Sequence, residues 1–274
     1  MRAAVLGKPI SHSLSPVLHL AAYQALGIAG EWTYEIVECD ERELPEVLDR
    51  GWAGLSLTMP LKRAVLPLLD HVEPLAVDVG GANTVVFGAD GRRGYNTDVP
   101  GMIAALARIG VVKADSATIL GAGATACAAL AALRDLGEKS VTVAVRAPHR
   151  AEPLMAAAAR LDIAVTLRPY EPRAVDGARL LISTVPAGAA NTFAENFSAL
   201  VSPPEVVLDV VYHPWPTALA TAAQHAGAVL VSGFDLLLHQ AGRQVELMTD
   251  RPAPLAAMRQ AGLAELATRA GGAR

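Results

Sequence analysis

The sequence predicts an α/β protein in which sheets of largely parallel strands are covered by helices. Short aliphatic runs alternate along the chain with longer Ala- and Leu-rich stretches, and one strand leads into a helix through a glycine-rich turn. Of the 274 residues, 52% are hydrophobic and 18% charged, which is enough apolar material for a large core. Eight of the short runs are typical of buried strands. They are AAVLG, WTYEIVE, AGLSLT, SATILG, SVTVAV, LLISTV, EVVLDVV and AVLVSG.

The longer stretches between these strands have apolar residues at helical spacing. They cover residues 16–26, 100–108, 125–136, 148–161 and 217–225. Ser15 before Pro16 is expected to cap the first helix, and Gly27 to end it. The sequence ADG at residues 89–91 separates two strand-like runs and predicts a hairpin.

These elements divide the chain into two α/β units. Residues 1–99 form the first unit, and residues 100–232 form the second. The C-terminal segment, residues 233–274, has helical periodicity with no strand after it. Its helices must therefore pack on a sheet formed by earlier strands, and we expect them to return to the first unit.

Composition excludes several classes of function. The net charge is −4, without a run of Lys or Arg, and only 4% of residues are aromatic, so a nucleic-acid binder is not expected. Two cysteines, Cys39 and Cys127, cannot form a disulfide framework, which favours a reducing compartment. The charge-free stretches 116–133 and 210–234 contain Gly, Pro and His where a membrane helix would be apolar. We expect a cytoplasmic protein that binds a small molecule, with no membrane span and, because no HxxxH or HExxH spacing occurs, no metal site.

The clearest chemical motif is LGAGATA after the strand SATIL. Gly121, Gly123 and Ala126 fit the dinucleotide-binding pattern GxGxxA, directly before a predicted helix. In this pattern the first glycine allows the tight turn and the second lets the backbone approach a pyrophosphate at the helix N-terminus. The expected cofactor-binding residues of this turn are Gly121, Ala122, Gly123, Ala124 and Thr125.

The strand that follows indicates which dinucleotide is bound. An NAD site has Asp or Glu at the end of this strand, whereas here the strand ends in Arg146, with Arg150 four positions later. No acid occurs until Glu152. Two guanidinium groups favour a 2′-phosphate through charge-assisted hydrogen bonds, so the sequence predicts NADP(H).

Polar residues cluster where strands of the first unit end. Taken singly, each has an ordinary structural explanation, such as a helix cap or a solvated lysine. They are Ser11, Ser13 and Ser15 in SHSLSP, Thr58 and Lys62 in LTMPLK, Asn83 in GANT, and Asn96, Thr97 and Asp98 in NTD. Strand ends are where α/β proteins place ligands, so the set predicts a substrate site.

Together with LDVVYHP and HQA, these motifs occur in an order that resembles the shikimate dehydrogenase family over nearly the whole chain. The resemblance implies an oxidoreductase that acts on a CH–OH group and reversibly reduces 3-dehydroshikimate to shikimate with NADPH, a step of chorismate and aromatic amino acid biosynthesis. It also implies an N-terminal substrate domain, a Rossmann-type domain, a cleft between them, and C-terminal helices that return to the first domain.

The resemblance assigns roles residue by residue. Ser13 and Ser15 match the residues that hold the substrate carboxylate. Lys62 and Asp98 match the catalytic pair, in which Lys62 gives the proton in reduction and accepts it in oxidation. The remaining matches are Thr58, Asn83, Tyr212 and Gln240 for the substrate, and Arg146, Arg150 and Gly233 for the cofactor.

The chain departs from the family at several positions. Val145 and Ala147 flank Arg146 where similar sequences have Asn and Thr, so two polar groups that could support the adenosine phosphate are absent. The strength of the NADP preference therefore stays open. So do activity on quinate, a paralogue with relaxed substrate or cofactor choice, a non-catalytic NADP-binding regulatory module, and a monomeric or homodimeric state.

Overall fold

The computed structural model describes residues 1–271, and the last three residues of the predicted C-terminal segment lie outside this range. The chain forms two compact units, each built on a six-stranded sheet. The first unit contains Met1–Gly101 and the segment from Leu237 onward, and the second contains Met102–Leu236.

The first unit alternates short strands and helices. Its strands are β1 (Arg2–Gly7), β2 (Thr33–Glu38), β3 (Gly54–Leu57), β4 (His71–Val72), β5 (Thr84–Gly88) and β6 (Gly91–Tyr95). Its helices are α1 (Ser15–Ala25), α2 (Leu44–Leu48), α3 (Leu61–Ala64), α4 (Pro74–Val79), the start of α5 (Asp98–Ala107), most of α10 (Gly233–Thr249) and α11 (Leu255–Gly271).

The sheet of the first unit has the order β2-β1-β3-β5-β6-β4. Strands β1, β2 and β3 are parallel, as the strand–helix alternation predicts. Strand β5 is antiparallel to both β3 and β6. The predicted hairpin lies at the turn between β5 and β6, where Gly91 has a φ of 108°, a conformation that favours glycine.

The two faces of this sheet bury different sets of residues. Along β1, Ala4 and Leu6 point into an aliphatic cluster, whereas Ala3 and Val5 point into an aromatic one. The aromatic cluster contains Tyr23, Trp32 and Tyr34. Helix α11 packs against α1, and Arg269 Nη1 donates to the His12 carbonyl at 2.8 Å. The C-terminal helix therefore returns to the first unit, as expected.

The second unit is a doubly wound parallel fold. Its strands are β7 (Ala117–Leu120), β8 (Ser140–Val145), β9 (Ala164–Pro169), β10 (Leu180–Ser183), β11 (Val206–Asp209) and β12 (Val229–Ser232). Its helices are the remainder of α5, α6 (Ala124–Asp135), α7 (Glu152–Arg160), α8 (Asn191–Asn196), α9 (Ala218–His225) and the first turn of α10. All neighbouring pairs are parallel in the order β12-β11-β10-β7-β8-β9, which is the Rossmann strand order.

Several local predictions were wrong or incomplete. Ser15 is not the N-cap of α1; Leu14 occupies that position, and Ser13 Oγ accepts a hydrogen bond from the Ser15 backbone N–H at 3.2 Å. The helix predicted over 148–161 is a 3₁₀ turn at Pro148–Arg150 followed by α7, since a second proline, at the start of α7, restricts the backbone there. Strands β4 and β9 and helices α2, α4 and α8 were not predicted, and these helices have at most six residues, too few to show a period.

Within residues 1–271, no helix combines the length and the apolar character that crossing a membrane requires. Both cysteines are buried thiols.

Candidate active site

The polar residues singled out in the first unit meet at one edge of its sheet. Strands β1 and β3 are parallel, so residues 11–15 after β1 and Thr58 after β3 lie at the same edge. Strand β5 is antiparallel to β3 and β6 antiparallel to β5, which brings the start of β5 and the end of β6 to that edge as well. Asn83 directly precedes β5, Asp98 follows β6, and Lys62 lies in the short helix after β3. The alternation of strand direction thus assembles residues that are far apart in sequence.

A buried ion pair lies at the centre of this edge. Lys62 Nζ donates to Asp98 Oδ2 at 2.6 Å, and the two residues are 36 positions apart. The side chains are 14% and 6% exposed, so the pair is largely shielded from water. Lys62 Nζ makes no other hydrogen bond to a residue that the structure describes. Two of its three N–H groups therefore remain for a ligand.

Asn83 holds the other oxygen of the carboxylate. Its side chain is fully buried, and Nδ2 donates to Asp98 Oδ1 at 2.9 Å and to Gln240 Oε1 at 2.8 Å. The amide oxygen of Asn83 is also held, since Oδ1 accepts a hydrogen bond from the Thr97 backbone N–H at 2.7 Å. Asp98 thus receives a separate donor on each oxygen, which fixes its plane relative to Lys62.

The start of α5 is anchored by Asn96. Its Oδ1 accepts from the Asp98 N–H at 3.1 Å, and its Nδ2 donates to the Gly81 carbonyl at 2.8 Å. Asn96 is 5% exposed. It therefore caps the helix and ties Asp98 to the loop before β5, so that the carboxylate is placed by the backbone as well as by its partners.

The serine loop lies at the N-terminus of α1. Ser13 is half-buried and Ser15 is 4% exposed, and the first turn of α1 contains no acidic residue. An eleven-residue helix with hydroxyl groups at its N-terminus favours an anion such as a carboxylate. Within the part of the chain that the structure describes, Ser13, Ser15 and Thr58 make no side-chain hydrogen bond to Lys62 or Asp98.

In the second unit, the glycine turn after β7 has room for a phosphate. Gly121 has a φ of 98°, and a Cβ there would lie 2.9 Å from Thr184 Oγ1. Gly123 is the N-cap of α6, and a Cβ there would meet nothing within 4 Å. The first glycine is thus required by the turn, whereas the second keeps open the space over the helix N-terminus. Ala126, the third motif position, is fully buried. These features fit the diphosphate of a dinucleotide.

Arg146 borders a pocket of about 410 Å³ at the ends of β8 and β9. Its guanidinium carbon lies 5.9 Å from the centre of the Tyr170 ring, and Arg168 lines the same pocket. Arg150 follows in the 3₁₀ turn, is exposed, and does not line this pocket. Among the described residues, neither Arg146 nor Arg150 forms an ion pair, so both positive charges are available for a phosphate.

Two more predicted residues flank the end of β11 and the start of α10. Tyr212 is half-buried and follows β11 by three positions. Gly233 is the first residue of α10, and a Cβ there would overlap the Val210 carbonyl. Close packing of the two backbones therefore requires glycine at position 233, whether or not a cofactor binds there.

Comparisons with known proteins agree with these features. The family model of the shikimate dehydrogenase substrate binding domain matches residues 5–85, and that of the shikimate 5′-dehydrogenase C-terminal domain matches residues 233–261. The shikimate dehydrogenase (NADP(+)) of Methanothermobacter thermautotrophicus is 33% identical over 267 residues, or 94% of each chain. The chain belongs to the shikimate dehydrogenase family.

Solved structures of shikimate dehydrogenases have the same fold. The enzyme from Mycobacterium tuberculosis is 42% identical, with a TM-score of 0.87 over 96% of this chain and 99% of that one. The enzyme from Thermus thermophilus, solved with NADP(H) and shikimate, is 34% identical, with a TM-score of 0.82 and coverage of 96% and 99%. The resemblance and the two-domain α/β fold predicted from sequence are therefore confirmed.

The sequence alone did not identify four residues beside the predicted sites. Arg168 and Tyr170 lie next to Arg146 and were missed because β9 was not predicted. Thr84 and Gln244 contact Asn83 and were missed because hydrogen-bond partners behind a site leave no spacing pattern. One signal was available for Gln244: it lies four positions, about one helical turn, after Gln240.

Proposed function

We propose that this protein is an NADP-dependent shikimate dehydrogenase, in which Lys62 and Asp98 handle the proton exchanged with the 3-hydroxyl of shikimate. The observation that carries the proposal is the buried pair at 2.6 Å, whose ammonium has hydrogens left for a substrate oxygen. Membership of the shikimate dehydrogenase family supports the same reaction.

The chemistry needs a proton donor at a developing negative charge. Reduction of the 3-keto group places that charge on its oxygen, and Lys62 Nζ donates the proton there; in oxidation the same nitrogen accepts the proton from the hydroxyl. When bound, NADPH would supply the hydride in reduction, and NADP⁺ would accept it in oxidation. Asp98 orients Lys62 through Oδ2, while Asn83 keeps Asp98 in place through Oδ1.

In this proposal the first unit binds the substrate, with residues 1–99 completed by most of α10 and by α11. Ser13 and Ser15 hold the carboxylate at the N-terminus of α1, where the helix dipole favours negative charge. Thr58, Asn83 and Gln240 contact the hydroxyl groups, and the resemblance also assigns Tyr212, a residue of the second unit, to the substrate. A site that satisfies several hydroxyls rejects analogues that lack them, because its own buried polar groups would lose their partners.

Residues 100–232 bind NADP. The turn from Gly121 to Thr125 receives the diphosphate, and Gly233 remains assigned to the same cofactor. Arg146 and Arg150 contact the 2′-phosphate, which NAD lacks. The free charges of both arginines and the absence of an acid at the end of β8 support this choice.

Initial rates with shikimate or quinate, each with NADP⁺ or NAD⁺, test the proposal by the absorbance of the reduced cofactor. We expect the highest kcat/KM with shikimate and NADP⁺. Preference for quinate or NAD⁺ would instead identify a paralogue with a different substrate or cofactor. Binding of NADP⁺ without turnover of either acid would identify a regulatory module and reject the proposal.

A further inference from the structure

Behind the active site, the first unit contains a buried polar network that the proposed chemistry does not use directly. It joins α1, β2, β3, β5 and α10. Its members are nearly or fully buried: His19 and Thr84 are 0% exposed, Gln244 1%, Ser56 3% and Tyr34 6%. Buried polar groups are costly unless they are paired, so each orientation in the network is constrained.

Gln244 uses all of its hydrogen-bonding capacity. Its Oε1 accepts from Ser56 Oγ at 2.9 Å and from His19 Nε2 at 3.3 Å. Its Nε2 donates to the Asn83 carbonyl at 3.2 Å and to Thr84 Oγ1 at 3.0 Å. An amide turned by 180° would place its oxygen against the Asn83 carbonyl, so only one orientation is compatible with the partners.

His19 supports this orientation. Because burial lowers the pKa of His19 to about 3, its ring is neutral at pH 7. Gln244 Oε1 can only accept, so the single ring proton is on Nε2, and Nδ1 lies 3.5 Å from the Tyr23 hydroxyl. The ring also stacks on Tyr34 with a centroid distance of 3.9 Å, which restricts its rotation.

Thr84 forms hydrogen bonds with the side-chain amides of both Gln244 and Asn83. Its Oγ1 accepts from Gln244 Nε2, so its hydrogen is directed to Asn83 Oδ1 at 3.0 Å. Together with the Thr97 backbone N–H, which donates to the same Asn83 Oδ1 at 2.7 Å, this bond keeps the amide oxygen of Asn83 on the Thr84 side and Nδ2 toward Asp98. A flipped Asn83 would place Oδ1 against the carboxylate of Asp98 and against Gln240 Oε1, where oxygen would meet oxygen.

We propose that Thr84, oriented by Gln244, is a positioning residue for the dehydrogenase reaction. With the Thr97 N–H, it fixes the amide of Asn83, which holds Asp98 Oδ1 and leaves Oδ2 for Lys62. Neither Thr84 nor Gln244 touches the reacting atoms in this arrangement. The kinetic consequence rests on the proposed function, whereas the orientation of Asn83 can be measured without turnover.

The test compares Thr84→Val, which loses the hydroxyl but keeps the shape, with Thr84→Ser, which keeps it. We expect Thr84→Val to lower kcat for shikimate about 10- to 100-fold, as for a lost hydrogen bond in a charged network, with the KM for NADP⁺ unchanged. Thr84→Ser should restore most of kcat. Thr118→Val is the matched control: it makes the same change at a buried threonine of β7, outside this network, and should leave kcat for shikimate within about twofold.

A second readout is the side-chain amide of Asn83 in ¹H–¹⁵N spectra. Its two N–H signals should shift strongly or broaden in Thr84→Val and in Gln244→Met, but stay near wild type in Thr84→Ser. Unchanged Asn83 signals in Thr84→Val would overturn the proposal, as would wild-type kcat in a Thr84→Val protein with a lowered Tm. If wild type itself fails to oxidise shikimate, the proposed function is wrong, and the Asn83 spectra alone decide the positioning role.

Discussion

Replacement of Lys62 by alanine removes the proposed proton donor and leaves the rest of the site in place. The lysine side chain is 14% exposed, and its only described hydrogen bond is the one to Asp98 at 2.6 Å. After the change, Asp98 keeps the donor from Asn83 at 2.9 Å and the cap from Asn96 to its backbone. We therefore expect the protein to fold, with its main defect in the chemical step.

The size of the defect follows from the role assigned to Lys62. A positioned general acid or base contributes about 10²- to 10⁴-fold in rate, which corresponds to about 3–5 kcal/mol in activation free energy. Breaking a fully buried ion pair costs about 3–5 kcal/mol of stability, and the retained donors to Asp98 should keep this cost at or below the lower end. The loss of kcat should thus exceed what a fall in folded fraction can explain.

Three measurements separate these effects: kcat for shikimate, the Kd for NADP⁺ and the Tm. Lys62→Ala should lose about 10²- to 10⁴-fold in kcat with the NADP⁺ Kd within about twofold of wild type. The matched control is Lys8→Ala, which breaks an exposed pair with Asp40 at 3.2 Å and should change neither kcat nor the Kd. A Lys62→Ala protein that is folded and turns over shikimate within tenfold of wild type would refute the role of Lys62.

The second unit and the buried histidine give further predictions. Gly123→Ala should keep the Tm of wild type but lose NADP⁺ affinity, because its Cβ meets no protein atom and enters the phosphate space. Gly121→Ala should instead lower the Tm, since this glycine has a positive φ. Equal NADP⁺ affinity in Gly123→Ala and wild type would contradict the assigned site. Arg146→Asp should raise the KM for NADP⁺ about 10- to 100-fold without raising the KM for NAD⁺. Arg173 is an exposed arginine outside the pocket, so Arg173→Asp should leave both KM values unchanged. An unchanged ratio of the two KM values in Arg146→Asp would reject the 2′-phosphate contact. The pKa of His19 is about 3 in the folded protein, whereas its ordinary value is 6.5. Between these two pH values the unfolded chain therefore binds one proton more than the folded protein. The free energy of unfolding should fall from pH 6.5 toward pH 3 by up to about 1.4 kcal/mol per pH unit. Urea unfolding of wild type and His19→Asn at pH 7 and pH 5 measures the difference, and the same pH dependence in both would contradict it.

Much of the fold could be predicted from the sequence because its signals are local. All eight aliphatic runs identified as strands are strands in the structure, and the hairpin lies at residues 89–91. A short run of aliphatic and β-branched residues between turn residues carries this information by itself. Helices α2, α4 and α8, of five or six residues, and strand β9, whose apolar run ends in Arg168 and Pro169, lack such a signal and were missed.

The active site shows a different limit. The sequence singled out Lys62, Asn83 and Asp98 as polar residues at strand ends, and the family resemblance supplied their roles. Their mutual distances depend on the direction of β3, β5 and β6 in the sheet, which no local pattern contains. Ser15 was misassigned as a cap because a serine before a proline has the same local pattern whether the helix begins at that residue or one position later.

The cofactor side was predictable in type but not in detail. Gly121 and Gly123 were predicted from their spacing, and the structure shows why each position is glycine. Gly121 adopts a positive φ, whereas Gly123 leaves space above the N-terminus of a helix. Arg146 and Arg150 were expected to act as a pair, but only Arg146 lines the pocket, where Arg168 accompanies it. Long side chains at the end of a strand are placed by neighbouring strands, so their grouping follows from the tertiary structure.

The distance from Lys62 Nζ to the 3-hydroxyl oxygen of bound shikimate tests the central claim most directly. A crystal structure of the complex should show this distance at about 2.6–3.2 Å, with Asp98 still bonded to the same nitrogen. Shikimate bound with its 3-hydroxyl beyond reach of Lys62, and in contact with another titratable side chain, would contradict the account.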